Sequence, residues 1–197
     1  MLVHGPRFTL RYPAPGDVPA LFELGQDPEV TRFFSWGPYT DESQPRAFID
    51  HVTAQREAGE RLEFAIADRD DRIVGITGLS EFSLRDRRAT VGTWLGRPYW
   101  GSGANAESKA LILRLGFERL GLLRATALAS PDNARSLAAL ERLGFEPEGV
   151  LRAWHVHGGE QRDVAILRLM REDFEAGPLA KVPVDIEGEP PPAFVAG

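Results

Sequence analysis

The chain has 197 residues, 43% hydrophobic and 26% charged, with no cysteine and a formal net charge of −6. That length and composition describe one globular domain, or one with an appendage, and the missing cysteine removes disulfides, thiolate metal sites and a cysteine nucleophile together. No apolar run approaches the ~20 residues of a membrane span, the start MLVHGPRF has no signal-peptide core, and the acidic balance argues against nucleic acid as a general partner. The expectation is a cytoplasmic protein; a cationic substrate such as an amine would suit the charge, and so would plain solubility.

Arg7–Tyr12 (RFTLRY) alternates, with Phe8, Leu10 and Tyr12 on one side, and predicts a half-buried strand. Asp17 can cap a helix over Val18–Leu24, where Pro19 is tolerated in the first turn. An aromatic loop follows (Phe33, Phe34, Trp36, Tyr39), able to line a pocket, to pack in the core or to meet a second subunit. Thr40 opens a long polar helix to about Gly59. Leu62–Asp68 and Arg72–Leu79 predict a hairpin across DRDD, whose aspartates lack the glycine and terminal glutamate of a calcium loop. Val91–Leu95 is a further strand, and Ala104–Leu120 a helix with Ala110, Leu113, Phe117 and Leu120 near helical spacing. Leu122–Ala129 reads as a strand, and Asp132–Leu143 as a helix closed by Gly144. Strands over Gly149–Val156 and Asp163–Leu169 flank the turn HGGE. From Gly177 onward lie five of the 15 prolines, so residues 175–197 are expected as an extended tail, loose or laid over a surface, beyond a domain of residues 1–174. The order β-α-α-β-β-β-α-β-α-β-β fits an α+β layer fold with a mostly antiparallel sheet.

The stretch PYWGSGANAE places two glycines at the mouth of a helix. A helix N-terminus exposes unpaired N–H groups and about half a positive charge, so it accepts anions readily. Gly101 and Gly103 would let phosphate oxygens approach the backbone; a plain tight turn explains them equally. Ala106 breaks the GxGxxG pattern, and no GK[ST] follows. In SPDNARSLAALERLGF, Asp132 or Asn133 caps a helix, and Asn133 and Ser136 share one side of its first turn.

With both elements in this order, and the GGEQRDVAIL hairpin after them, the sequence resembles the GNAT superfamily of acyl-CoA N-acyltransferases, in particular its RimJ/RimL-like branch of ribosomal-protein N-terminal acetyltransferases. The resemblance covers roughly residues 7–174. It implies a GNAT-like fold, helices on both faces of the sheet, and acetyl-CoA as cosubstrate in a gap beside Val91–Leu95. Backbone groups at Trp94 and Leu95 would hold the pantetheine and polarise the thioester carbonyl. The turn Trp100, Gly101, Ser102, Gly103, Ala104 and Asn105 would seat the pyrophosphate, Asn133 would bind the CoA arm, and Ser136 would protonate the departing thiolate. The family's habit also implies a homodimer. The superfamily turn Q/R-x-x-G-x-G/A is altered here, with Trp100 first and Asn105 last, and no glutamate stands on the central strand near Thr90.

The chemistry needs a neutral amine, and an amine of pKa about 10 must first lose a proton. Glu81, after the strand Arg72–Leu79, is the candidate base; an exposed loop glutamate is the competing reading. His155 and His157 lie two apart without a third ligand, so no metal site is expected. The activity expected is transfer of an acetyl group to a protein N-terminus or a small-molecule amine in a direct ternary complex. A non-catalytic acyl-CoA-binding module with the same fold is the alternative.

Overall fold

The computed structural model describes residues 1–157 and 159–195. Gly158, in the expected HGGE turn, and the last two residues of the tail lie outside them. The strands are β1 (Leu2–His4), β2 (Thr9–Arg11), β3 (Leu62–Ala67), β4 (Ile73–Ser83), β5 (Arg88–Leu95), β6 (Arg124–Ala129), β7 (Glu146–His157), β8 (Glu160–Met170) and β9 (Asp185–Glu187). The helices are α1 (Val18–Gly25), α2 (Pro28–Thr31), α3 (Ser43–Glu57), α4 (Ala104–Arg114), α5 (Ala134–Arg142) and α6 (Arg171–Ala176). A wider π turn, Leu115–Arg119, prolongs α4.

The strands form one sheet in the order β7-β8-β6-β5-β4-β3-β2-β1-β9. Both faces of its centre are buried, by residues that alternate along each strand. Leu62, Phe64, Ile66 and Val91 join Leu111, Ile112 and Leu115 under α4, in a core that also holds Phe117 and Phe145. Ala65, Ala67 and Ile76 turn the other way, to meet Val18 and Leu21 of α1 and Ile49 of α3. This double burial is why β3, LEFAIA, lacks a fully polar face.

One pair of neighbours is parallel. β5 pairs with β6 from Arg88↔Arg124 to Val91↔Ala127 and no further, although β5 runs on to Leu95 and β6 to Ala129. Every other neighbouring pair is antiparallel. The two strands therefore part after four rungs, and a gap opens between Gly92–Leu95 and Leu128–Ala129.

Several expectations change in three dimensions. Asp17 makes no side-chain cap to α1; its carboxylate instead accepts both Arg11 terminal nitrogens, at 2.8 and 2.7 Å, and the Ala14 N–H at 2.8 Å. An arginine six residues away outcompetes the helix end, because a bidentate charged pair is the stronger bond. The π turn ends the Ala104–Leu120 helix as an α-helix at Arg114. The strands β4, β5, β7 and β8 are longer than expected, and β1, α2 and α6 were not anticipated. The proline-rich segment lies on the protein: β9 pairs with β1, and Phe194 is fully buried against Phe82, with ring centroids 4.8 Å apart. Phe194→Ala should lower unfolding stability by about 3 kcal/mol, read as a fall in the urea midpoint at unchanged slope.

Candidate acyl-CoA and acceptor site

The gap begins with backbone. The Gly96 N–H donates to the Val74 carbonyl at 2.9 Å, and in an antiparallel ladder facing residues alternate between bonded and unbonded. Trp94 and Gly92 thus spend their backbone groups on β4, while Thr93 and Leu95 direct theirs towards the gap. The Trp100 indole N–H takes the Leu95 carbonyl at 2.9 Å. That leaves the Leu95 N–H and the Thr93 N–H and carbonyl facing the opening.

At the outer end of β5 lies the glycine turn. Gly101 and Gly103 have φ of +72° and +87°, the left-handed region that side chains resist. Gly101, Ser102 and Gly103 are exposed and Ala104, the first residue of α4, is buried. Ser102 steadies the turn, its hydroxyl donating to the Tyr99 carbonyl at 2.7 Å and accepting the Ala104 N–H at 3.3 Å. The sequence did not reveal the clamp beneath. Glu107 is 5% exposed; one carboxylate oxygen accepts the Arg7 and Phe8 N–H groups at 2.6 and 3.0 Å, and the other accepts Arg7 Nε at 2.9 Å. Arg7 then donates to the Ser102 carbonyl at 2.9 Å. A Cβ at Gly103 would lie 2.8 Å from that guanidinium and displace it from the turn, while the φ of +87° is what calls for glycine.

On the other side of the gap, α5 begins at Asn133, whose side-chain oxygen accepts the Ser136 N–H at 3.1 Å. Asn133 is thus the cap that the sequence left open between it and Asp132. Arg135 lies 3.4 Å from the Trp100 ring centroid and ties α5 to the glycine turn.

Between these elements is a cavity of about 270 Å³, lined by Gly92 and Thr93 of β5, Ala127–Ser130, Asn133 and Ser136. Phe33, Phe34 and Ser35 wall it from the aromatic loop, and His155, His157 and Asp163 from the β7–β8 hairpin. The loop is braced by Trp36, whose ring stands 5.4, 5.1 and 5.2 Å from those of Phe34, Tyr39 and Trp94. The structure thus brings Asn133 and Ser136 together on the cavity wall, with Leu95 and the turn 100–105 leading to it; the backbone of Trp94, expected to face the pantetheine, is instead spent on β4, and Thr93 takes its place at the gap. Glu81 does not join them. It sits in an irregular stretch of the β4–β5 pairing, exposed, with φ +52°, and accepts the Thr90 hydroxyl at 2.7 Å.

Lys109 is the unexpected wall. It is 5% exposed on α4 and lines the cavity, and its Nζ donates to Thr93 Oγ1 at 2.9 Å. Thr77 Oγ1 lies 2.7 Å from Thr93 Oγ1 and donates to the Gly92 carbonyl at 3.0 Å. With the lysine donating first, the whole chain of protons runs one way, from Lys109 through Thr93 and Thr77 to Gly92. Burial pushes the ammonium down to about 8 from 10.5. The signal in the sequence was a lysine set directly before the apolar run ALIL of α4.

Between pH 8 and 10.5 the unfolded chain holds a proton at Lys109 that the folded chain has lost, so this residue makes stability climb with pH across that window. Lys109→Met should remove that climb and be at least as stable as the wild type at pH 7, because it removes the cost of burying an ammonium. Melting curves of both proteins at pH 7 and pH 10 check this.

The chain has relatives among acetyltransferases. A family description, acetyltransferase (GNAT) domain, matches residues 7–146. An uncharacterized N-acetyltransferase p20 of Bacillus licheniformis is 32% identical over 127 residues, 64% of this chain and 71% of that protein. A structure from T. thermophilus described as an acetyltransferase superposes with a TM-score of 0.78 at 31% identity, covering 89% of this chain and 92% of that one. The fold is also that of the microcin C7 self-immunity acetyltransferase MccE, solved with acetyl-CoA and AMP, at a TM-score of 0.75 and 24% identity over 84% of this chain and 93% of that one. A strand pair that parts beside a glycine-turned helix, in a chain matched from residue 7 to residue 146, makes this protein a member of the GNAT acetyltransferase family.

Proposed function

We propose that this N-acetyltransferase moves the acetyl group of acetyl-CoA to a primary amine, a protein N-terminus or a small-molecule amine, by direct attack within a ternary complex. The observation that carries this reading is the gap between β5 and β6, where strand pairing stops after Val91↔Ala127 and a cavity opens at that point. Acetyl-CoA supplies the activated acyl carbon. In this reading the Leu95 N–H and the Thr93 backbone hold the pantetheine arm as an adjoining strand would. The free N–H groups at the start of α4, with Gly101 and Gly103, seat the pyrophosphate. Asn133 offers its remaining side-chain N–H groups to the CoA arm, and Ser136 holds the proton for the departing sulfur.

The acceptor enters beneath the aromatic loop, between Phe33, Phe34 and the β7–β8 hairpin. The motifs VGTWLGRPYWGSGANAESKA and SPDNARSLAALERLGF support the RimJ/RimL-like branch, and we read the protein as a cytoplasmic homodimer. Support for self-association comes from β7, a strand at the end of the sheet that exposes Val150, Trp154 and Val156. Among the described residues no helix is long and apolar enough to cross a membrane.

Acetyl-CoA at a hundredfold excess over its dissociation constant should add about 2.7 kcal/mol, a rise in melting temperature of roughly 5–10 °C for a chain of this size. Gly103→Pro should abolish the shift. Ser136→Ala should keep it and lower turnover about a hundredfold; unchanged turnover would remove the serine from this role. Sedimentation velocity at micromolar concentration should show a dimer, and a monomer would overturn the self-association reading.

A further inference from the structure

On the face covered by α1 and α3, the central strands carry side chains in cross-strand rows. Ala65, Ile76 and Trp94 make one row; Glu63, Gly78 and Gly92 make the next. The first row is packed solid, but the second holds one side chain. A Cβ at Gly78 would collide with Glu63 Oε2, so the glutamate carboxyl occupies the place a residue at 78 would fill. A Cβ at Gly92 would meet nothing within 4 Å, and Gly92 lines the cavity. Facing residues of neighbouring strands stand about 5 Å apart. The carboxyl seated on Gly78 therefore stands one strand, about 5 Å, from the open space over Gly92, at the point where β5 and β6 part.

We propose that Glu63 is the general base of the transfer, taking a proton from the ammonium of the acceptor directly or through one water. This rests on the acetyl-transfer reading and supplies the group that reading lacks. Once the proton is on the Glu63 carboxylate, the nitrogen lone pair forms the N–C bond to the acyl carbon as the C–S bond breaks. The sulfur leaves with the bonding pair and takes the proton of the Ser136 hydroxyl, and the second nitrogen proton passes through solvent to restore that hydroxyl.

The setting of Glu63 suits the task. Its side chain is 13% exposed, and Nε of Arg61, the residue before β3, holds Oε1 at 3.3 Å, which leaves Oε2 on the glycine side. Burial pushes the carboxyl up to about 7 from 4.5, against the pull of Arg61, the charged side chain that bears on it. A base near the working pH is both free to accept a proton and strong enough to take one. In the adjoining row Thr90 faces Ser80 and donates to Glu81, so that carboxylate is already engaged one row away from Gly92. His155 is exposed and His157 half-buried, both on the far hairpin.

The test compares the wild-type protein with Glu63→Gln by release of CoA thiol. One acceptor is whichever of a seryl tripeptide amide and butylamine the wild type acetylates faster. The other is hydroxylamine, which is neutral at pH 7 and needs no base. The expected result is a hundredfold or greater loss in kcat/KM for the protonated amine, loss of the pH–rate limb near 7, and hydroxylamine turnover within threefold of wild type. The acetyl-CoA melting shift, kept in Glu63→Gln, shows that the variant is folded and binds the donor. Equal turnover with the protonated amine, or an equal loss with both acceptors, overturns the role of Glu63 alone. No amine-dependent release from the wild-type protein overturns this proposal and the acetyl-transfer reading together.

Discussion

The structure depends on an interrupted hydrogen-bond ladder. A backbone N–H or carbonyl left without a partner in a protein interior costs free energy, so strand pairing normally runs as far as both strands do. Here β5 and β6 stop pairing after four rungs while both continue. The groups left over on Thr93 and Leu95 are satisfied only in part from within, since the Trp100 indole takes just the Leu95 carbonyl. What remains is a strand-shaped opening, complementary to an amide-bearing ligand such as pantetheine. The rest of the site is arranged around it, with α4 at its outer end, α5 along one side and the aromatic loop across the opposite face.

The same economy governs the sheet's two faces. Under α4 the central strands offer leucine, isoleucine and phenylalanine, and the core there is continuous. Under α1 and α3 the strands turn small, with Ala65 and Ala67 followed by Gly78 and Gly92. Small residues bring helices closer where α1 and α3 cover them, and leave room where no helix does. Polar groups placed in such room keep unusual protonation states. Glu63 is pushed towards its neutral form there by loss of solvent, as Lys109 is on the α4 side of the sheet.

Much of this was legible in the chain. Two-residue alternation placed β2 and β3, the end of β5 was read as a strand at Val91–Leu95, and the spacing of Asn133 and Ser136 put both on one side of the first turn of α5. The glycine pair was legible as a turn because its physics is local. What escaped was everything decided through space. Asp17 reads as a helix cap until Arg11 comes within reach. Glu81 reads as a base beside the acyl-CoA strand until the β4–β5 irregularity turns it outward. Glu63, between Leu62 and Phe64, reads as the solvent side of an alternating strand. Only the alanines at 65 and 67 hinted that this face, too, was covered. Strands as short as β1 and β9 carry too few residues to show a period, and they exist because each completes the other.

The Arg7–Glu107 clamp joins positions a hundred residues apart. Its carboxylate holds the start of the first hairpin on one side and, through Arg7, the carbonyl of Ser102 on the other. The exposed loop at the head of α4 therefore has its shape only while the first hairpin is docked. In thermodynamic terms the two are a single cooperative unit, and whatever binds one must stabilise the other. An anion resting on the glycines would protect from local opening a pair of strands that it never touches.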